Sequence, residues 1–310
     1  MLSDPNRPAG DVAHRPTVDI VIATHNGGAT IRRAVESALR NVPPSGQVIV
    51  VDDGSDPPIE SHTLPADLRL RLMYVTHGGV CAARNAGVSA TSASFVAFLD
   101  DDDELLDGWL RAVEAELAID VGVVCVGARF VDAQGNFKQT HLPEALGPLF
   151  GDAVGLFLAG SFAVRRDLLL AAGGYDEQLR FSENSELSLR LLAEAEHSGE
   201  RLVSIPKALV QISRRRTAER RTGPRDRLVS VQRMLRQHEE AFDANPRVRA
   251  GYCGIAGASA AQLGEYAVAR SWFKQAIRAQ PFNPTAWARY LLTAVPIART
   301  QVWELATDGR

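Results

Sequence analysis

The sequence has few cysteines and no pattern that would link them. Its three cysteines, Cys81, Cys125 and Cys253, are far apart, and no C-x-x-C pair occurs among the 310 residues. Disulfide frameworks and zinc sites both need cysteines at short, regular spacing, so neither is predicted here. The pattern favours a protein of the reducing cytoplasm.

Long apolar runs and a charge excess of one sign are missing as well. No stretch approaches the ~20 apolar residues that span a bilayer, and segment 1–16 lacks the apolar run of a signal peptide. The 34 basic and 37 acidic residues give a net charge of -3, so nucleic acid is not an expected partner. We expect a folded cytoplasmic protein, either free or in peripheral contact with the inner face of a membrane.

Short β-branched runs alternate with helical patterns between residues 17 and 130. Predicted strands cover 18–23, 47–51, 95–99 and 121–126, and predicted helices cover 29–40, 80–89 and 109–118. Such alternation is typical of a mainly parallel sheet with helices on both faces. In such sheets, ligands bind at the carboxyl ends of the strands.

The rest of the chain divides into three parts. Residues 1–16 are polar and proline-rich, which predicts a disordered lead. Residues 131–223 are punctuated by glycine, include a predicted helix over 186–195, and are expected to complete the domain begun by 17–130. This part ends in a basic stretch, Arg214 to Arg221, before Gly223 and Pro224. Residues 224–310 have a helical pattern throughout.

The helical region contains a repeat-like spacing. The positions that match a tetratricopeptide repeat and the start of the next are Gly257, Ala269, Phe273, Ala276, Pro281 and Trp287. Stable arrays need about three repeats, more than this segment offers. We expect these helices to pack against the preceding domain or against another subunit. The alternative is a helical cap that covers apolar surface.

Four consecutive carboxylates, Asp100 to Asp103, follow the apolar run over 95–99. Ionised groups ~4 Å apart repel by about 4 kcal/mol at an effective dielectric constant of ~20, and a divalent cation relieves this repulsion. Hard oxygen ligands favour Mg²⁺ or Mn²⁺, which also neutralise a diphosphate leaving group. The alternative is a solvated acidic turn that caps the next helix.

Two further segments carry residues that suit ligand binding, one at a predicted strand end and one before a predicted helix. Asp52 and Asp53 are followed by Gly54 and Ser55, a turn that lets backbone approach a ligand closely. The segment 78–87 is a glycine-rich turn that enters a helix and carries an Arg-Asn pair. A glycine turn before a helix is weak evidence for a phosphate site alone, but three such sites in strand order are stronger.

Together these segments resemble glycosyltransferase family 2, whose donor domain has the GT-A fold. The resemblance covers roughly residues 17–213 and rests on VDIVIATHNGG, VIVVDDGSD, GGVCAARNAG, FVAFLDDDDELLDGWL, GSFAVRR, GGYDE and FSENSELSLRLL. It implies a Rossmann-like α/β fold, a mainly parallel mixed sheet flanked by helices, here followed by an all-α C-terminal region.

The resemblance also assigns residues to the nucleotide-sugar donor and to a metal. The residues that it places around the donor are Ala23, Thr24, Asn26, Asp53, Arg84, Asn85, Asp100 and Asp101. In the Asp-x-Asp element, Asp102 would be the principal ligand of Mn²⁺ or Mg²⁺. The family uses the Asp of a Glu-Asp pair as its general base, but here the pair is Glu183-Asn184. Because an amide cannot accept the proton, Glu183 is the predicted base and Glu186 the second candidate.

The implied function is metal-dependent, inverting transfer of a sugar from a nucleoside-diphosphate sugar to a hydroxyl acceptor whose identity the sequence does not give. The alternative is a catalytically impaired GT-A-like scaffold that acts through its helical tail, by binding a protein partner or a second copy. A dinucleotide-dependent oxidoreductase is disfavoured, since no G-x-G-x-x-G follows the first strand.

Two other groups of residues carry weaker predictions. The histidines His25, His62, His77, His141 and His197 show no ligand spacing and are predicted to be incidental. The basic stretch from Arg214 to Arg221 is predicted to close over the diphosphate, because guanidinium groups suit bidentate phosphate contacts. A solvated basic surface and a patch for anionic lipid are the alternatives.

Overall fold

The computed structural model of the chain describes residues 16–214 and 222–294. The lead that was predicted to be disordered falls almost wholly outside these ranges. So do Arg215, Arg216, Arg220 and Arg221 of the basic stretch.

The first part of the chain alternates strands and helices as the sequence predicts. The elements are β1 (Val18–Thr24), α1 (Ile31–Asn41), β2 (Val48–Asp53), β3 (Leu70–Val75), α2 (Val80–Ala90) and β4 (Phe95–Asp100). Strands β1, β2 and β4 are almost continuously buried, which explains their uninterrupted apolar composition.

Shorter and less regular elements follow. They are β5 (Glu104–Leu105), α3 (Trp109–Glu114), β6 (Val121–Asp132), β7 (Phe137–His141), β8 (Glu144–Ala145), β9 (Val154–Gly155), β10 (Phe162–Arg165), α4 (Arg166–Ala171), α5 (Glu183–Ser198) and β11 (Arg201–Arg214). The predicted helix over 109–118 ends early, and the predicted strand over 121–126 extends to Asp132.

Within the described residues, nine strands form one sheet in the order β3-β2-β1-β4-β10-β6-β11-β5, with β7 added to β6. Strands β1 to β4 pair in parallel, as do β6 and β11, whereas β10 runs antiparallel between β4 and β6. The predicted mainly parallel mixed sheet is therefore confirmed.

Each face of the sheet is covered by its own helices. On one face, α1 and α3 bury Ile31, Val35 and Trp109 against the strands. On the other, α2, α4 and α5 bury residues such as Leu169 and Leu191. The sheet is thus covered by helices on both faces, and strand pairing sets the positions of its strand ends.

Strand β11 is the main element that the sequence did not predict. Its residues 201–214 include Pro206, which cannot donate a ladder hydrogen bond and interrupts the apolar pattern. The pairing with β6 absorbs this by shifting register between Ile205 and Ala208 and again before Val210. Tertiary pairing with a long buried neighbour therefore outweighs the weak local signal.

The C-terminal part is entirely helical in the described residues, which confirms the predicted all-α region. Its helices are α6 (Pro224–Gln237), α7 (Glu239–Ala244), α8 (Pro246–Gln262), α9 (Tyr266–Ala279) and α10 (Pro284–Leu292). Helices α8 and α9 approach closely at Gly257, where a Cβ would lie 2.6 Å from the Phe273 ring. The repeat-like interpretation stays a prediction.

The helical region, residues 224–292, has a third hydrophobic core of its own, formed around Met234, Phe242 and Phe273. One member of this core, Leu179, comes from the loop that precedes α5 rather than from the helical region. In the described ranges, no helix has both the length and the apolar character that a membrane crossing requires.

Candidate functional site

A cavity of about 330 Å³ opens where the parallel strands β1, β2 and β4 end. The residues that line it are Ala23, Thr24, His25, Asp53, Val80, Arg84, Asp100, Asp101, Asp102, Arg180, Glu183 and Thr222. Most residues that the sequence singles out thus meet in one place, because the carboxyl ends of neighbouring parallel strands share one edge of the sheet.

The aspartates after β4 point in different directions. Asp101 is buried and accepts a hydrogen bond from the Thr24 hydroxyl at 2.6 Å. Its carboxylate lies so close to Gly27 that a Cβ there would be 2.0 Å from Oδ2. Asp103 turns away from the cavity and accepts the backbone N–H of Ser213 at 2.8 Å. Asp102, between them, is half-buried and lines the cavity.

The donor set at this turn fits a hard divalent cation. Asp100, Asp101 and Asp102 bring carboxylates to one wall of the cavity, the ligand type that Mg²⁺ and Mn²⁺ prefer. The crowding of negative charge is visible at Asp103, where burial and then the neighbouring carboxylates, Asp100 foremost, raise the pKa well above its usual range.

Arg84 joins the two sides of the cavity. The buried guanidinium pairs with Asp100 at 2.8 Å and lies 3.6 Å from the Glu183 carboxylate. It also stacks 5.0 Å from the centre of the Tyr175 ring. Burial alone would lower the pKa of Arg84, but the acidic groups of Tyr175, Asp100 and Glu183 outweigh it and raise the pKa. Arg84 therefore stays cationic.

Glu183, Asn184 at the family's base position, and Glu186 were compared as positions for the base, and only Glu183 lines the cavity. Glu183 is the first residue of α5 and lines the cavity with 22% of its side chain exposed. Asn184 turns toward the core, where it accepts a hydrogen bond from the Tyr175 hydroxyl at 2.9 Å. The predicted candidate Glu183 thus lies beside the aspartates, whereas the residue in the family's base position does not line the cavity.

Glu186, the second candidate, is only 1% exposed and does not line the cavity. Its carboxylate accepts hydrogen bonds from Arg190 at 2.7 Å and lies 3.0 Å from the His238 ring nitrogen. Although burial acts to raise the pKa of Glu186, Arg190 and His238 outweigh it and lower the pKa. This arrangement does not support Glu186 as a base.

The prediction that the histidines are incidental stays untested, but two of them, His25 and His77, lie together beside Asp53. The centres of their rings lie 4.3 Å apart. One ring nitrogen of each histidine and one carboxylate oxygen of Asp53 all lie within 4.8 Å of one another. The strand order explains the grouping, since His77 follows β3, Asp53 ends β2 and His25 follows β1. Strand β3 was not among the predicted strands, so no sequence rule placed His77 beside Asp53. Imidazole with carboxylate can also bind a transition metal.

Two predicted donor residues do not line the cavity. Asn26 has φ +57° and links two turns, because its backbone N–H donates to Ser55 Oγ and its side-chain oxygen accepts from Asp56 N–H, both at 2.9 Å. Asn85 donates to Tyr175 O and accepts from Tyr175 N–H, again at 2.9 Å. Both asparagines shape the walls of the cavity from outside.

Besides His25, three cavity residues were not predicted from the sequence: Arg180, Val80 and Thr222. Arg180 lies in the Arg180 loop, residues 172–182 between α4 and α5, where no periodic pattern marks it. Its guanidinium donates to Gly78 O at 2.7 Å and covers Gly79. The position of Arg180 depends on contacts with the helical region, and these contacts cannot be inferred from the residues next to Arg180 in the sequence.

The comparison of sequences gives a family and its relatives. The sequence model of Glycosyl transferase family 2 matches residues 19–171. A pre-mycofactocin glycosyltransferase of Mycobacterium tuberculosis is 32% identical over 217 residues, which are 66% of this chain and 44% of the relative. Succinoglycan biosynthesis protein ExoO of Rhizobium meliloti is also 32% identical over 217 residues, 66% of this chain and 62% of the relative. The chain thus spans about half of these relatives.

Solved structures share the fold. A crystal structure of S. aureus TarS residues 1–349, described in complex with UDP-GlcNAc, covers 95% of this chain and 92% of its own with a TM-score of 0.65. A second, in complex with UDP, gives a TM-score of 0.54. At 16% sequence identity this likeness concerns the fold alone, and it confirms the expected GT-A architecture.

Proposed function

The chain belongs to glycosyltransferase family 2, and on this premise we propose that it transfers a sugar from a nucleoside-diphosphate sugar to a hydroxyl acceptor. One observation carries the proposal. A single cavity combines a row of carboxylates with Arg84 and Arg180 and has a further acidic side chain, Glu183, on its other wall. Such a set can hold a diphosphate, stabilise it as it leaves and accept a proton.

We assign the donor to the wall formed by the strand ends. Ala23, Thr24 and Asp53 would border the nucleobase and ribose. Asp100 and Asp101 belong to the Asp-x-Asp element, in which Asp101 would reach the ribose or the metal. This follows from the resemblance and is supported by the shared cavity. TarS is described with UDP-GlcNAc and with UDP, so uridine diphosphate sugars are the first donors to test on this chain.

We propose Asp102 as the principal ligand of a divalent cation, Mn²⁺ or Mg²⁺. Its half-buried position in the cavity supports this, as does the carboxylate crowding around it. When bound, the cation would neutralise charge on the diphosphate. Arg180 would add a second positive charge from the opposite wall, and Arg84 would hold Asp100 in place.

We propose Glu183 as the general base of a single displacement. Its carboxylate takes the proton of the acceptor hydroxyl while the acceptor oxygen bonds to the anomeric carbon. The bond from that carbon to the diphosphate oxygen breaks, and the electron pair leaves with the diphosphate. Displacement from the face opposite the leaving group inverts the anomeric configuration. The Glu183 carboxylate lines the cavity and lies 3.6 Å from the Arg84 guanidinium.

One observation favours a second candidate function. Asn184 replaces the family's usual base and is held by the Tyr175 hydroxyl. A catalytically impaired scaffold that binds donor but transfers no sugar is consistent with this replacement. Contact with a membrane surface, and binding of a partner or a second copy through the helical region, stay predictions from the sequence.

The test measures donor binding and transfer in matched variants. Thermal unfolding of wild type, Asp102→Ala and Asp107→Ala is followed with UDP-GlcNAc, UDP-glucose and GDP-mannose, with and without Mn²⁺. A ligand that binds only the native state raises the melting temperature. Asp107 is the control because its side chain is 91% exposed and does not line the cavity.

We expect a Mn²⁺-dependent shift with at least one donor that persists in Asp107→Ala and is lost in Asp102→Ala. Loss of a group that only supports a metal ligand typically costs about 10- to 100-fold in affinity, so loss of the ligand should cost more than about 100-fold. If the shift survives in Asp102→Ala but disappears in His77→Ala, the cation binds at the histidines. Absence of any donor response and of any transfer would overturn the proposed function.

A further inference from the structure

The Arg180 loop is anchored in the core of the helical region. The Leu179 side chain is fully buried and packs with the helical core rather than with either core of the sheet. Its backbone oxygen lies 3.5 Å from the Cys81 thiol of α2. The loop therefore forms a layer between the nucleotide side of the sheet and the helical region.

Polar contacts from α6 hold the same loop. Arg233 pairs with Asp176 and donates to the Gln178 side-chain oxygen at 2.8 Å. Gln237 also donates to Asp176, at 3.0 Å. Both aspartate contacts bridge about sixty residues of chain. The Asp176 carboxylate thus ties the start of the loop to two turns of one helix.

Residues of the helical region and its linker fix both backbone groups of Arg180. The Arg180 N–H donates to Ser230 Oγ at 3.0 Å, and the Thr222 hydroxyl donates to Arg180 O at 3.1 Å. With its backbone fixed, the side chain extends over the turn at Gly79, where a Cβ would be 2.6 Å from the guanidinium carbon. The position of this cavity cation is therefore set from the helical region.

The first turn of α5, which carries Glu183, is held from the same side. Ser182 has φ +58°, a conformation unusual for a residue other than glycine, and its side chain shares a hydrogen bond with the Tyr252 hydroxyl of α8. Strained backbone of this kind persists only where surrounding contacts hold it. Within the described residues, Tyr252 of α8 contacts Ser182 and His238 contacts Glu186, while Ser230 of α6 holds Arg180 just before this turn.

We propose that the helical region completes the active cavity by clamping the Arg180 loop, with Arg233 and Tyr252 as positioning residues for Arg180 and Glu183. The expected effect on turnover rests on the proposed function. The clamping of the loop by the helical region does not depend on that function. Arg180 supplies a cation to the diphosphate, since its guanidinium meets carbonyl oxygens and, in the described ranges, no carboxylate within pairing distance.

Two readouts test the clamp in the full-length protein. Hydrogen exchange of backbone amides in 176–186 is compared with that in 48–53, and sugar transfer is measured at varied donor concentration. The variants are Arg233→Ala, Arg233→Lys, Ser230→Ala and Tyr252→Phe. Arg236→Ala is the control, because Arg236 lies on the same helix with its side chain exposed.

We expect Arg233→Ala to speed exchange in 176–186 without changing exchange in 48–53. Misplacement by about 1 Å can cost about 10²-fold in rate, so kcat should fall between about tenfold and a hundredfold, with a smaller change in donor KM. Arg233→Lys should recover part of the loss, and Arg236→Ala should match wild type. Ser230→Ala and Tyr252→Phe give the same local signature if Arg233→Ala fails to fold.

Faster exchange across the whole chain would assign these residues to general stability and overturn the proposal. Unchanged exchange in 176–186, with unchanged kcat, would also overturn it. Faster local exchange in a chain whose wild type transfers no sugar supports the clamp and refutes the transferase function, so the two failures are distinguishable.

Discussion

The two walls of the cavity are held in different ways. The strand-end wall, formed by Ala23, Asp53 and Asp100 to Asp102, follows buried parallel strands whose backbones pair directly with one another. The loop wall, formed by Arg180 and Glu183, has no such ladder beneath it. It depends on side-chain hydrogen bonds from helices that occur much later in the chain.

This difference coincides with the proposed division between donor binding and chemistry. The wall proposed to bind the donor is built into the sheet, so its geometry follows from the fold. The wall proposed to carry the base and a second cation is placed by contacts particular to this chain. Changes to the two walls should therefore have different kinetic signatures.

Replacing the proposed base should give the largest effect. A general base typically contributes about 10²- to 10⁴-fold, so Glu183→Gln should lower kcat at least 10²-fold while donor affinity stays nearly constant. Steady-state kinetics with titration of the donor measure both. Glu196→Gln is the control, since Glu196 is an exposed residue of the same helix outside the cavity.

Full activity in Glu183→Gln would show that the base lies elsewhere and would remove the chemical role assigned to the loop wall. Asn184→Asp restores the residue type that the family uses. If only that variant transfers sugar, the natural chain is a binding scaffold.

A substitution where the walls touch should have an intermediate effect. Gly79 has φ +88° and ψ 168°, a combination that is essentially restricted to glycine, and it lies under Arg180. Gly79→Ala should lower the free energy of unfolding by about 2 kcal/mol and weaken binding of the diphosphate by displacing Arg180.

Gly28→Ala is the matched control, because no atom lies within 4 Å of the added Cβ. Urea unfolding and calorimetric titration with UDP compare the two variants. Equal effects of Gly79→Ala and Gly28→Ala would mean that the walls are not coupled at this turn.

The smallest effect concerns the ion pair that holds the loop wall. Burial acts to raise the pKa of Asp176, but hydrogen bonds from Arg233, Gln178 and Gln237 outweigh it and hold the pKa below the ordinary 3.8. Its stabilising contribution is therefore present above pH 3.8 and lost as the pH falls through the lowered pKa. Asp176→Asn should cost about 1.5 kcal/mol of unfolding free energy at pH 7, and less with increasing acidity.

Urea unfolding from pH 7 to pH 3 checks this, with Asp120→Asn as the comparison. Asp120 pairs with Arg201 at 2.6 Å, but both side chains are about half exposed, so its loss should matter less. A pH-independent difference between Asp176→Asn and wild type would show that the Asp176 charge does not stabilise the clamp.

The sequence predicted the strand-end wall well because simple rules place it. Alternating strands and helices imply a parallel sheet, and a parallel sheet brings its carboxyl ends together, so the alternation alone places Asp53 and Asp101 near one another. His77 follows the same rule and was missed only because β3, a half-buried strand, has no uninterrupted apolar run.

The loop wall was less predictable for physical reasons. Glu183 was inferred from a motif, but Arg180 lies in an irregular loop whose course depends on Leu179 entering a distant core. Asn26 and Asn85 belong to motifs that suggest ligand contact, yet their side chains satisfy backbone groups of neighbouring turns. Residue type and spacing do not distinguish these two uses of an asparagine.

The burial of Leu179 in the helical core also sets an order of events during synthesis. Chains emerge from the ribosome N-terminus first, at about 5–20 residues per second, and domains fold as their residues become available. Strands β1 to β4 can pair while later residues are still being translated. The core that receives Leu179 includes Phe273 of α9, so the Arg180 loop gains its final surroundings only after that helix has emerged. The strand-end wall can therefore form during synthesis before Arg180 of the loop wall is in its final position.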